Sequence, residues 1–283
     1  VKVVVTGSAG KIGRPALAAL RTAGHRATGL DIAGPIEPGR QLRCDCTDFG
    51  AVMGALSGID PAGGLPDAVV HLAGIPAPGL ATDEATFAVN TRSTYNIFSA
   101  CARLGIRKIV WASSETILGL PFDEPPAFAP LDETHPDRPN WSYALAKQLG
   151  ETMADTFVRW HDDMAIVSLR FSNVFTADDY AGLEKMQADP ARRKWNLWSY
   201  VDAEDAAAAC VRAVEAPVTG HQRLLIAAAD TLIDRPSAGL MGEYFPNVPL
   251  STIEGFQSLQ SSARAAELIG YRPQHSWRDR AQP

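Results

Sequence analysis

VKVVVTGSAGKIGR, residues 1–14, is the passage from which the architecture follows. Val1, Val3, Val4 and Val5 around Lys2 are a β-branched run with the length of a short buried strand. Gly7, Gly10 and Gly13 follow in the spacing GxxGxxG, and Ile12, Leu17 and Leu20 then recur on one helical face. A strand that turns through glycines into a helix N-terminus makes a phosphate cradle. Glycine permits the turn and lets backbone approach a pyrophosphate, while the unpaired N–H groups and dipole of the helix start favour an anion. An ordinary glycine-rich turn has the same spacing, so the surrounding chain decides its meaning.

Working outward, strand-type and helical segments alternate. Strands are expected at residues 25–31, 41–44, 68–71, 108–112 and 165–171, and helices near 48–56, 83–104 and 141–160. Residues 61–66 read as a Pro/Gly-rich loop, and the prolines of 121–139 exclude helix or central strand there. This alternation predicts an α/β fold, a doubly wound parallel Rossmann-type sheet covered on both faces, with ligands beyond the carboxyl ends of the strands. The last third is less regular: a loop with one short helix over 180–198, a helix at 201–214, a strand at 223–227 and helical patterns near 236–244 and 261–269. The expected division is a core of 1–170 to which 199–228 return, and a small substrate-binding cap of 171–198 and 229–283.

Composition narrows the class. The chain has 283 residues, 46% hydrophobic and 20% charged, as ordinary soluble domains have. A net charge of −6 gives no electrostatic case for nucleic acid or an anionic membrane. No apolar run reaches the length of a membrane span, and the start of the chain reads as a core strand rather than a signal peptide. Cys44, Cys46, Cys101 and Cys210 lack metal-ligand spacing, so no metal is expected; Cys44 and Cys46 should share a face as small hydrophobes. A reducing cytoplasm is the expected location.

Three groups of residues carry chemistry. Asp31 closes the second strand, where a carboxylate accepts both hydroxyls of an adenosine ribose and repels a 2′-phosphate, which favours NAD over NADP. Arg14 is the counter-argument, a cation able to pair with that phosphate. Tyr143 and Lys147, in SYALAK, stand one helical turn apart on one face. A phenol is a poor base at neutral pH unless a nearby ammonium stabilises the phenolate. Tyr143 could then take a proton from a substrate hydroxyl while hydride leaves its carbon. Ser113, Ser114 and Thr116 follow the fifth strand, where a hydroxyl can meet the same substrate oxygen; a turn satisfying its own backbone is the plain alternative.

TGSAGKIG, Asp31, Asp45 in CDCTD, HLAG at 71–74, Asn90, ASSET at 112–116, YALAK and RFSNV at 170–174 occur in one order. Together they resemble the extended short-chain dehydrogenases/reductases, the NAD-dependent epimerase/dehydratase group. The resemblance implies that Gly7, Gly10, Lys11, Ile12 and Gly13 lie at the pyrophosphate and Asp31 at the adenosine ribose. It implies Asp45 and Cys46 at adenine, with Leu72, Ala73, Gly74, Asn90 and Ala112 lining the cleft. Phe171, Asn173 and Val174 would border the nicotinamide. Ser114, Tyr143 and Lys147 would be catalytic, Lys147 also holding the nicotinamide ribose. Ile75, Ser114, Glu115, Thr116, Asn173 and Arg193 would face the substrate.

Departures point to the substrate class. Only about 25 residues separate FTADDYAG from SYVDAEDAA, which leaves little room for a nucleotide diphosphate. The pattern looks closer to compact members such as the uronate dehydrogenases, which oxidise a free sugar; their Asn-His pair is replaced here by Glu115 and Thr116. A Glu115 that points into the site disfavours an acidic substrate. Arg192 and Arg193 could bind an acid or phosphate, or form an exposed basic pair. His71 is expected to orient its loop, Asp202 and Asp205 to cap a helix, and Trp195, Trp198 and Tyr200 to wall the pocket or pack in the core. The long helices could pair two copies into a homodimer or be buried within one. The leading reading is an NAD-dependent oxidoreductase of a small sugar-like substrate. A sugar epimerase/dehydratase with transient oxidation and a non-catalytic NAD-sensing protein are the alternatives.

Overall fold

The computed structural model describes residues 1–34, 40–58 and 64–280. The core elements run β1 (Lys2–Thr6), α1 (Gly13–Thr22), β2 (Arg26–Asp31), β3 (Gln41–Arg43), α2 (Phe49–Gly58), β4 (Ala68–His71), α3 (Asp83–Leu104) and β5 (Lys108–Ser114). The chain continues through α4 (Ser142–Trp160), β6 (Ala165–Phe171), β7 (Val174–Phe175), α5 (Ala177–Tyr180), α6 (Leu183–Ala188), β8 (Val201–Asp202), α7 (Ala203–Glu215) and β9 (Gly220–Ile226). It closes with α8 (Ser237–Tyr244), α9 (Ala263–Ile269) and α10 (Trp277–Arg280). Of the expected 61–66 loop, residues 61–63 lie outside the described residues.

Seven parallel strands pair in the order β3-β2-β1-β4-β5-β6-β9. The chain winds outward from β1 to β3, then returns to place β4 on the other side of β1. That reversal opens a crevice at the carboxyl ends of β1 and β4, where the glycine turn lies. Period-two alternation divides the strands between two cores. Val3 and Val5 face α1, α7 and α9, with Leu17, Leu20, Ala209, Ala213 and Ile269; Val4 faces α2, α3 and α4, with Leu56, Ile97, Phe98, Ala154 and Phe157. Cys44 and Cys46 join the second core as buried free thiols.

α3 has a Thr82 cap accepting from Ala85 N at 3.3 Å, Asp83 and Glu84 in its first turn, and a left-handed Gly105 at its end. β5 runs two residues beyond the expected end, so Ser114 pairs in register with Phe171. The expected loop over 180–198 contains α6 and a 3₁₀ turn, Pro190–Asn196. The helix expected from 201 starts at Ala203, because Val201 and Asp202 pair with Val174 and Phe175. No described helix is long and apolar enough to cross a membrane.

Candidate active site

The glycine turn is closed by contacts only glycine allows. Gly7 has φ +66°, and a Cβ there would lie 2.6 Å from the backbone nitrogen of Ala73. A Cβ at Gly13 would lie 2.0 Å from the Gly7 carbonyl oxygen. Gly10 is different: it is exposed, its N–H donates to Gly7 O at 3.0 Å, and a Cβ there would meet only that oxygen, at 3.2 Å. Its outer side is therefore open to a ligand. No side chain caps α1 among the described residues, and its first turn carries no acid. An uncapped helix start behind an open glycine fits a pyrophosphate.

Asp31 lies at the end of β2, with Oδ2 accepting from Ala9 N at 2.8 Å and Oδ1 from Ala33 N at 2.9 Å. It therefore ties the glycine turn to the β2 end while keeping lone pairs for a ribose. Asp45 is exposed and accepts from the N–H and hydroxyl of Thr47, both at 2.8 Å; Asn96 holds the carbonyl of buried Cys46 at 3.0 Å. After β4, Asn90 clamps Ile75 from both sides, accepting its N–H at 2.8 Å and donating to its carbonyl at 3.0 Å. Leu72 and Ala73 are half-buried and Gly74 exposed, with Thr6 Oγ1 accepting from Ala73 N at 3.2 Å. Lys11 leans from the glycine turn to Asp179 at 2.8 Å.

Tyr143 and Lys147 stand on the inner face of α4, each 8% exposed. Ser114 ends β5 and receives Thr116 Oγ1 at 3.0 Å. Lys147 donates to the carbonyl of Ala112 at 2.7 Å and lies 5.6 Å from the centre of the Tyr143 ring. Burial pushes the phenol up to about 12 against the opposing effect of the Ser114 hydroxyl, and the Glu115 charge pushes it further the same way. Burial brings the Lys147 ammonium down to about 8. The expected tuning of the phenol toward neutral is therefore not a property of the protein chain alone. His71 links this group to the glycine turn: Nδ1 bonds Thr6 Oγ1 at 2.7 Å, and burial with the Lys147 charge holds it neutral, at about 3. It orients its loop, as expected.

The substrate-side residues divide. Thr116 stays beside Ser114, whereas Glu115 turns into a buried cluster and accepts from Ser172 at 2.8 Å, Asn196 at 3.2 Å and Gln260. The exposed-pair reading of the two arginines is corrected: Arg192 is exposed beside Asp189, but Arg193 is 9% exposed because the 3₁₀ turn carries it inward. Its guanidinium donates to Asn173 Oδ1 at 3.0 Å and Ser199 O at 3.1 Å and stacks 4.9 Å over half-buried Trp195. Trp198 and Tyr200 are fully buried core residues. Phe171 packs into the α1–α7 core, and Val174 against it. Asp202 caps α7 as expected, whereas Asp205 instead holds the backbone of Gln274 and His275.

Two features escaped sequence reasoning. Glu151, on the Tyr143–Lys147 face of α4, accepts from Ser113 at 2.6 Å, Arg170 at 2.7 Å and Arg223 at 2.8 Å, and pins the helix to the sheet. Its spacing of four from Lys147 was the available signal. Gln260 reaches Glu115 from 145 residues away, a pairing with no local signal.

A parallel sheet with a glycine cradle at its reversal point and a tyrosine–lysine pair beside it defines a dinucleotide-dependent enzyme of the short-chain dehydrogenase/reductase type. A profile of the NAD dependent epimerase/dehydratase family matches residues 3–227, and the chain belongs to that family. It is 27% identical to an L-arabinose 1-dehydrogenase (NAD(P)(+)) of Haloferax volcanii, covering 96% of each chain. It is 24% identical to a uronate dehydrogenase of Pseudomonas syringae pv. tomato, over 78% of this chain and 72% of that one. A short-chain dehydrogenase/reductase superfamily protein from Agrobacterium tumefaciens with bound NAD has the same fold, at TM-score 0.73 and 23% identity over 98% and 94% of the two chains.

Proposed function

We propose that this chain is a dehydrogenase that uses NAD to oxidise a hydroxyl-bearing carbon of a small sugar. The observation that carries the reading is the buried Tyr143–Lys147 pair on the inner face of α4, with the Lys147 ammonium 5.6 Å from the centre of the phenol ring. When bound, NAD supplies the hydride acceptor. Gly7, Gly10, Ile12 and Gly13 would hold its pyrophosphate, Asp31 its adenosine ribose, and Asp45 and Cys46 its adenine. Leu72, Ala73, Gly74, Asn90 and Ala112 would wall the cleft. The Asp31 carboxylate disfavours a 2′-phosphate, so NAD is preferred to NADP.

Ser114 orients the reacting hydroxyl, and Tyr143 takes its proton at Oη. Lys147 keeps a positive charge beside Tyr143 and so stabilises the phenolate that accepts this proton. Glu151 holds α4, and so both groups, in register with β5 and β6. Residues 171–198 and the described part of 229–283 form the cap over the substrate, except α9, which packs with α1 and α7 on the sheet; Thr116, Asn173 and Trp195 lie at the edge of the cap. The exposed apolar face of α3 and α4, with Tyr95 49% and Trp160 60% exposed, is the surface through which two copies pair. Light scattering on the native chain and on Trp160→Asp checks that pairing. The four unbridged, buried cysteines suit a reducing cytoplasm.

The test is to incubate pure protein with NAD and a panel of free aldoses and follow NADH. Steady accumulation is expected. Isomerised sugar without NADH, from protein that purifies with NAD, would instead indicate the epimerase reading.

A further inference from the structure

Glu115 and Arg193 are a buried acid and a buried base that the reaction itself does not use. They are 3% and 9% exposed, and make no direct ion pair. They are joined through one layer of neutral side chains. Asn196 Nδ2 donates to Glu115 Oε1 at 3.2 Å and to Ser199 O at 2.9 Å; Arg193 donates to the same Ser199 carbonyl at 3.1 Å. Ser172 Oγ bonds both Glu115 Oε2, at 2.8 Å, and Ser199 Oγ, at 3.1 Å. The remaining donors to Glu115 are uncharged, so Arg193 is the cation of this cluster. One Arg193 nitrogen, Nε, is buried without a partner, while Nη1 holds Asn173.

A guanidinium taken out of water needs a compensating negative charge or pays a large desolvation penalty. Burial raises the Glu115 carboxyl above the usual carboxylate range, against its three donors and the Arg193 charge, which pull it down; burial brings Arg193 down to about 10, and the Glu115 charge opposes this. We infer that Glu115 is the fixed counter-ion of Arg193 and that the pair confines this chain to sugars without an anionic substituent. A sugar hydroxyl lodged beside this guanidinium brings no charge of its own. A carboxylate or phosphate there would share its cation with a carboxylate already in place, and like charges in a dry site repel. Glu115 is thus a specificity-determining residue that acts through Arg193.

The inference takes its substrate from the sugar-oxidising reading, so its test has an arm that needs no turnover. Glu115→Gln removes the charge at constant shape. The new amide can donate to Asn196 Oδ1 or Gln260 Oε1, two buried acceptors that are unpartnered now, so the variant should fold. The native chain, E115Q and E115Q/R193M are compared on glucose, glucuronate and glucose 6-phosphate with NAD. The native chain should favour glucose by roughly tenfold or more in kcat/KM. E115Q should move the acid-to-neutral ratio toward the acids by a similar factor, and adding R193M should cancel that move. The uronate and phosphate arms show which anion gains. An unchanged ratio in E115Q, or a native preference for an acid, overturns the inference. If no sugar is oxidised, the proposed function fails, and calorimetry of glucuronate decides the present point: tighter binding to E115Q than to the native chain supports it, equal or weaker binding overturns it. Melting gives a further check, since R193M should melt lower than the native chain and E115Q/R193M higher than R193M. Simple additivity would contradict the pairing.

Discussion

Gly150→Ala sets two effects of opposite sign against each other. In a helix interior this change ordinarily stabilises by about 0.5–1 kcal/mol, because alanine loses less backbone freedom on folding. At this position a Cβ would lie 2.3 and 2.4 Å from two ring carbons of Trp111 on β5. The Trp111 ring cannot give way: it is 1% exposed and packs edge-on against Phe98 at 6.1 Å between centroids. Overpacking of this kind costs about 1–3 kcal/mol, and so close an approach belongs at the upper end. The expected net loss is about 2 kcal/mol, or roughly 4–8 °C in Tm at about 2–4 °C per kcal/mol. α4 can relieve the contact only by moving away from β5, and Lys147 and Tyr143 move with it. Lys147 already sits 5.2 Å over the Trp111 ring. Urea and thermal melts should show the loss, and kcat should fall while the KM for NAD changes little. A G150A protein as stable as the native chain, with unchanged kcat, would refute the proposed tight seating of α4 on Trp111.

Glu151→Ala removes the more deeply buried of the two carboxylates that pair with Arg170, which is 1% exposed, leaving Asp137 as its partner, and should cost about 3 kcal/mol in urea denaturation. His71 should make the protein acid-labile. Its folded pKa of about 3 lies below the ordinary 6.5, so the unfolded chain binds the extra proton in that interval; stability is full above about 6.5 and falls as pH drops toward 3. The loss should be on the order of a few kcal/mol, and His71→Asn should flatten that part of the melting-against-pH curve. Asp31→Asn removes the charge facing a 2′-phosphate and should narrow the ratio of kcat/KM for NAD over NADP, read with both coenzymes on one sugar. It should also loosen the glycine turn, since of the two N–H groups the carboxylate holds, one keeps only a neutral amide oxygen and the other loses its acceptor.

What could be read from the sequence was whatever repeats locally. The alternation of Val3, Val4 and Val5 between two faces, the long amphipathic runs of α3 and α4, and the glycine spacing gave the sheet and its ligand edge, because period and turn chemistry are set within a few residues. The same holds for Tyr143, Lys147 and Ser114, which lie at fixed places relative to β5 and α4. The substrate side was not legible in this way. Whether Arg193 faces water or the interior depends on a 3₁₀ turn with no hydrophobic period, and the direction of Glu115 depends on Gln260, far along the chain. Trp198 and Tyr200 could have been wall or core by composition; the short β7–β8 pairing draws that segment inward. The raised phenol of Tyr143 follows from burial, which no spacing reveals.

The central claim is that the glycine turn carries a pyridine dinucleotide against the outer side of Gly10. Gly10→Val tests it directly, because a Cβ there meets only the Gly7 carbonyl oxygen, at 3.2 Å, while the rest of the side chain takes up the space assigned to the ligand. Calorimetric titration of NAD should give saturable, one-site heat with the native chain and none with G10V, while both melt at similar temperatures. No heat from NAD or NADP with the native chain, or unaltered binding by a folded G10V protein, would contradict it.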